Sequence, residues 1–184
     1  MDSRLKIFVP ENEEGFELAQ PVADDDFALL HSLIDGTPRE GSWTPMPMRI
    51  ISKERRRSLR RSDSPWLLDD MLILRPQAAE ALKPFLLNHG ELLPLQCEQA
   101  ELVVFNVLRV VDGLDESASA FTRFRSGRIM LIDKHVFRKQ AIQELHAFKI
   151  TSLKPSPLFV SAEFVERWHA AGLKGIEFRQ VWEG

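Results

Sequence analysis

The sequence predicts an α+β protein: a mostly antiparallel sheet with a few packed helices. Two observations carry that expectation. Short β-branched and aromatic runs outnumber the amphipathic stretches, and several adjoin one another with only a turn between. The chain has 184 residues, 44% of them apolar, enough to bury a core without a disulfide or metal staple. One domain, or one domain with a small subdomain, is the expected size class.

The first third is the least regular. Leu5 to Val9 reads as a short strand closed by Pro10. Ala23 to Ile34 reads as a helix, with Phe27, Leu30 and Ile34 on one face and Asp24, Asp25 and Asp26 in its first turn, where carboxylates favour the positive end of the helix dipole. Gly36 and Pro38 stop it. Gly41 to Pro47 is extended, because its prolines remove donors and exclude the helical region for their predecessors. The basic run 49–61 follows, then a loop at Ser62-Asp63-Ser64-Pro65. The chain therefore divides into an irregular N-terminal subregion, 1–62, with acidic and basic segments, and an α+β core, 63–184.

Within that core, Pro76 opens a helix expected to reach His89 and to stop at Gly90, with Ala78, Leu82, Phe85 and His89 in one stripe and Pro84 kinking it. Pro94 and Gln96 to Gln99 read as a connector. Leu102 to Val111 reads as one long buried strand, followed by a turn at Asp112-Gly113-Leu114-Asp115. Arg128 to Asp133 is a strand entered through Ser126-Gly127, and Phe148-Lys149-Ile150 and Leu158-Phe159-Val160 are shorter ones. Ser161 caps a helix that buries Phe164, Trp168 and Ala171 and ends at Gly172. In the last strand Ile176, Phe178, Gln180 and Trp182 share a face by simple alternation.

Charge is distributed unevenly. The net charge of −3 conceals −7 over residues 1–48, +6 over 49–61 and −2 beyond. The arginines at 55, 56, 57, 60 and 61 could serve a nucleic-acid-binding regulator. However, no aromatic residue interleaves them to stack bases, and the acidic chain repels phosphate at long range, so a solvated face pairing with the preceding acids is the favoured reading. No apolar run approaches the roughly 20 residues that span a bilayer. The N-terminal apolar stretch is too short for a signal peptide. A soluble cytoplasmic protein is expected, and the single Cys97 agrees with a reducing compartment.

Catalytic signatures are absent from the sequence. There is no G-x-S-x-G, no Walker loop and no H-x-x-x-H among the scattered His31, His89, His135, His146 and His169. Asp69-Asp70 could touch a cation, but the structural reading is favoured. Asp112, Asp115 and Asp133 lie at strand ends and are the candidates for a small carboxylate-dependent hydrolase, although turns are rich in Asp for backbone reasons alone. The expectation is no enzyme, no cofactor and no metal.

From residue 63 onward an ordered set of phrases resembles a bacterial immunity-protein family encoded beside polymorphic toxins, whether contact-dependent or type VI secreted. The set comprises Pro65-Trp66-Leu67, Leu72-Ile73-Leu74-Arg75, Gly90-Glu91-Leu92-Leu93-Pro94-Leu95 and Asn106. It continues through Asp112 to Glu116 with Ser117 and Ser119, then Phe124, Gly127, Leu158 to Ser161, Ala171 to Phe178 and Val181-Trp182, with Ser42 to Pro45 a fainter match upstream. The resemblance implies an intracellular α+β protein that binds a cognate secreted toxin and blocks it without catalysis or cofactor. The recurrent Asp112, Asp115, Gly172 and Trp182 then have architectural roles. The toxin and the oligomeric state are left open. Charge complementarity speeds encounter between such partners, so the acidic segment centred on Asp24, Asp25 and Asp26 is the expected contact for a basic toxin.

Overall fold

Period-2 alternation within the strands builds two sheets that share one layer of helices. A computed structural model describes residues 4–184. Met1, Asp2 and Ser3, which open the acidic segment, lie outside the described residues. In chain order come β1 (Lys6–Asn12), β2 (Leu18–Pro21), α1 (Asp26–Leu33), β3 (Pro47–Ile51), β4 (Lys53–Glu54), β5 (Arg57–Ser58), β6 (Leu72–Leu74), α2 (Pro76–Leu87) and β7 (Gly90–Cys97). They are followed by β8 (Leu102–Val107), β9 (Val110–Val111), β10 (Ala120–Arg123), β11 (Ile129–Lys134), α3 (Lys139–Ile142), β12 (Ala147–Ile150), β13 (Phe159–Ser161), α4 (Ala162–Ala170) and β14 (Ile176–Glu183).

One five-stranded sheet runs β14-β1-β13-β12-β9 and the other β2-β3-β7-β8-β6, while β10–β11 and β4–β5 are two-stranded hairpins. Pairing is antiparallel except for β3 with β7 and β9 with β12. The α+β class with mostly antiparallel sheets therefore holds. Strands from residues 1–62 enter both sheets: β1 pairs with β13 and β14, and β2 and β3 join β7.

Strands β6, β8, β12 and β13 are buried on both faces and read as largely apolar runs, whereas β3 and β7 alternate. Leu72 and Leu74 point into a central core with Leu82, Phe105, Val160, Phe164 and Trp168, whereas Ile73 points into a second core with Leu30, Ile34, Leu93 and Val104. Phe8 faces the central core, while its neighbours Ile7 and Val9 face a third core with Phe148 and Phe159. Helices α2 and α4 thus cover one face of each sheet, α1 covers the outer face of one, and the β10–β11 hairpin with α3 covers the outer face of the other.

Several sequence expectations need correction. The predicted strand 102–111 is two strands in two sheets. The chain leaves β8 at Leu108, whose N–H donates to His89 O, and Arg109 O accepts from Lys149 N before β9 begins. β1 continues through Pro10 to Asn12, because β13 pairs only with Ile7 and Phe8 and the edge beyond is open, where a missing donor is tolerated. α2 ends at Leu87 rather than at Gly90. Gly90 instead starts β7, where a Cβ would lie 2.2 Å from Asn106 O, so glycine permits the close approach of two strands. Pro94, expected in a connector, is paired with Val103 inside β7.

Trp182 does not share a face with Ile176 and Phe178. The register jumps from Phe8–Gln180 to Ile7–Trp182, and this bulge turns Trp182 into the third core. The Ser161 cap and the stop at Gly172 are as expected: Ser161 Oγ accepts from Phe164 N, and Gly172 has φ +68°.

The third core carries a pH-sensitive group. His135 stacks on Phe137 at 5.9 Å and meets Phe159 edge-on at 5.6 Å. Burial first, then the Arg179 charge, pushes its imidazole down to about 4. Between the ordinary value near 6.5 and about 4, the unfolded chain holds a proton that the folded one refuses, so stability falls as pH falls through that window. The loss attributable to His135 is about 2 kcal/mol once solvent at its open edge is counted. Urea melts of His135→Phe should lose that much less between about pH 6.5 and 4 than the unsubstituted chain. Identical slopes would remove His135 as a cause.

Candidate interaction surface

An exposed acidic surface lies at the entry to α1. The chain turns into the helix through Asp26 N–H to Ala23 O and Phe27 N–H to Asp24 O. Asp25 occupies the cap position with helical φ and ψ, and its side chain makes no cap hydrogen bond. Asp24 and Asp25 are exposed and Asp26 is half-buried, and none of the three carboxylates has an ion-pair partner among the described residues. They stand beside exposed apolar side chains: Val22, Phe27 and Leu29. Phe27, expected to join Leu30 and Ile34 on the buried face, is exposed. Next to them lies a shallow groove of about 290 Å³ lined by Leu29, Leu33, Trp43, Pro45 and Met46.

This surface is held from behind. Leu30 and Ile34 are buried in the second core. Two side chains satisfy the carbonyls at the end of the helix: Arg39 Nε donates to Leu33 O at 3.2 Å and Lys149 Nζ to Ile34 O at 3.1 Å. Asn106, the polar interruption in β8, donates to Thr37 O and to Glu91 Oε1, both at 2.8 Å, and Glu91 in turn accepts from Arg39 N and Glu40 N. Trp43 Nε1 donates to Pro94 O at 2.7 Å, fixing the groove wall.

Behind α1 lies a buried charged cluster that sequence reasoning missed. Asp70 Oδ2 is 2.8 Å from His31 Nδ1, and Asp70 Oδ1 has no hydrogen-bond partner. Lys149 is 6% exposed, and all of β12 around it is buried. Both groups line a cavity of about 370 Å³ with Ile34, Val110 and Leu153. Burial pushes the Asp70 carboxyl above its ordinary range against the pull of Lys149 and His31, and burial pushes the Lys149 amine down against the pull of Asp70. A lysine inside an otherwise apolar strand was the available signal, but its partner is 79 residues away in sequence.

The other sequence candidates have local duties. Asp112 pairs with Arg138 at 2.5 Å. Asp115 Oδ1 accepts from Ser117 Oγ, Ser117 N and Ala118 N; these bonds, the hydroxyl's first, hold its carboxyl below the ordinary range. Asp133 Oδ2 accepts from Thr122 Oγ1 at 3.0 Å across the β10–β11 ladder. The basic run divides. Arg55, Arg56 and Arg57 form the exposed tip of β4–β5, with Arg55 at φ +52°. Arg60 lies 3.8 Å over the Phe16 ring and 4.0 Å from Glu13, and Arg61 is 3.9 Å from Asp63. His89 and His146 do meet, at 5.6 Å between rings, but His89 is satisfied on both nitrogens, by Phe85 O and His146 N–H.

Among the described residues no group of three or more His, Cys, Asp and Glu could hold a metal ion. No helix there is long and apolar enough to cross a membrane. What the α1 surface offers chemically is contact: apolar anchors that lose water on docking, ringed by carboxylates that attract a cationic partner. No curated protein matches the chain. Residues 98–183, from the turn before β8 through β14, match the Immunity protein family (Imm11), which bears out the resemblance to a bacterial immunity-protein family.

Proposed function

We propose that the protein is a cytoplasmic immunity protein that binds a cognate secreted toxin of a polymorphic toxin system, including those delivered by type VI secretion, and neutralises it by contact without catalysis. The observation that carries this reading is the immunity-family match over residues 98–183. Residues 63–184 together with β1, β2 and β3 supply the framework, and the α1 region of residues 1–62 supplies the contact surface through Asp24, Asp25 and Asp26 with Val22, Phe27 and Leu29. α1 lies outside the matched residues, so this interface assignment rests on its charge and exposed apolar side chains alone. A toxin with a basic docking face, such as a nuclease, fits it.

Co-expression with the toxin encoded by an adjacent reading frame tests the function: protection should be mole for mole, and the two proteins should co-purify. Replacing Asp24, Asp25 and Asp26 together with Asn should slow association about tenfold or more at low salt and flatten its salt dependence. Unchanged association rate and salt slope would remove this surface from the interface. Protection at strongly substoichiometric protein would instead indicate an enzyme.

A further inference from the structure

Apart from Leu87, the large apolar side chains exposed among the described residues fall into two patches of opposite charge. One is the α1 surface with its three aspartates. The other is the β10–β11 hairpin, where Phe124, Met130 and Leu131 are 48%, 49% and 55% exposed. Around them stand Arg125, Arg128 and Lys134, all exposed. Arg128 leans 5.7 Å over the Phe124 ring, and Arg125 and Lys134 have no acidic partner among the described residues. Exposed apolar patches rimmed by charge mark association sites.

The hairpin also overhangs a groove of about 790 Å³ between β11 and the open end of β1, with apolar walls including Val9, Pro10, Leu153 and Pro155. Three acids line it as well. Glu11 is taken by Arg179 at 2.5 Å, which leaves Asp69 and Asp133, the latter also accepting from Thr122, against Lys134, Lys154 and Arg128. A short convex element bearing carboxylates and apolar side chains fits that concavity, and α1 is such an element, about 12 Å long.

We infer that the chain associates with itself when no toxin is present: the acidic, apolar α1 surface of one copy docks on the basic, apolar β10–β11 hairpin and groove of another. The contact joins two different patches, so it is reciprocal in a dimer or head-to-tail in a longer chain. A second copy seated on α1 covers the surface assigned above to the toxin, and toxin and second copy then compete. The inference uses that surface but not its assignment, because the test contains no toxin.

Sedimentation of the full chain from about 1 to 200 µM should show a weight-average mass above one chain at about 50 mM salt. The apparent dissociation constant should rise about tenfold or more by about 500 mM salt, as the Debye length shrinks. Asp24→Lys/Asp25→Lys/Asp26→Lys and Arg125→Glu/Arg128→Glu/Lys134→Glu should each stay single. An equimolar mixture of the two should associate again, because each variant then offers the charge that the other lacks. That recovery also controls for misfolding, and every substituted residue except the half-buried Asp26 is exposed. A single-chain mass across the whole range at low salt, association retained by both variants, or a mixture that stays single would overturn the inference. If the hairpin variant is single yet still protects against the toxin, the toxin reading survives independently.

Discussion

Lys149→Met should destabilise the fold by about 3 kcal/mol at neutral pH, and by clearly less near pH 4. The methionine fills the same space in β12, so the loss is electrostatic rather than a cavity. It leaves Asp70 buried with His31 as its remaining side-chain partner and Oδ1 still unpartnered, and it frees the Ile34 carbonyl at the end of α1. The pH sign follows from Asp70. Its folded carboxyl already titrates above the ordinary carboxylate range, and without Lys149 it rises further. Above about pH 4 the unfolded chain has lost that proton while the folded one keeps it, so stability falls as pH rises through the folded value. Adding Asp70→Asn should return most of the loss and remove its pH dependence, since the carboxylate to be neutralised is gone. Denaturant melts of the two single variants and the double, at about pH 4.5 and 7.5, check this. Equal losses at both pH values would mean that Lys149 acts by packing rather than charge. Because Lys149 also holds the end of α1, the single variant should lose toxin protection along with stability.

Gly90→Ala should cost about 3 kcal/mol or more, although alanine is a small change with ordinary backbone preferences. The added methyl would sit 2.2 Å from Asn106 O and 2.7 Å from Phe105 Cε2, and neither can retreat. The first is backbone near the end of β8, paired with β7, and the second is a ring packed into the central core. β7 must move off β8 at the point where Glu91 and Asn106 tie down the segment after α1. A thermal midpoint lower by about 5 °C or more is expected, with loosened hydrogen-exchange protection along β7 and β8. An unchanged midpoint would show that the strands can separate there at no cost.

These two sites also mark the limit of sequence reading. Gly90 was legible as a glycine that ends something, yet its purpose lies in the strand 16 positions later that it touches. Lys149 was legible as a strand residue but not as the cap of a helix 115 residues earlier. The same applies to Leu102 to Val111: its composition announces buried strand, but the exchange of sheets at Leu108 and Arg109 is fixed by partners at His89 and Lys149. The acidic start of α1 was found because the charge is local. The exposed apolar residues around it were not, since Phe27 carries the same periodic signal as the buried Leu30.

By itself the sequence determined the class of the protein and the nature of its elements: strands where β-branched and aromatic residues alternate, the Ser161-capped helix, and the turn built by Asp115. These depend on interactions within a few residues. Only the tertiary structure decided which sheet each strand joins, which face of a two-sided strand meets which core, and that the buried Asp70 and Lys149 line one cavity. Such outcomes are set by contacts between segments far apart in the chain, whose local preferences are satisfied equally well by several packings.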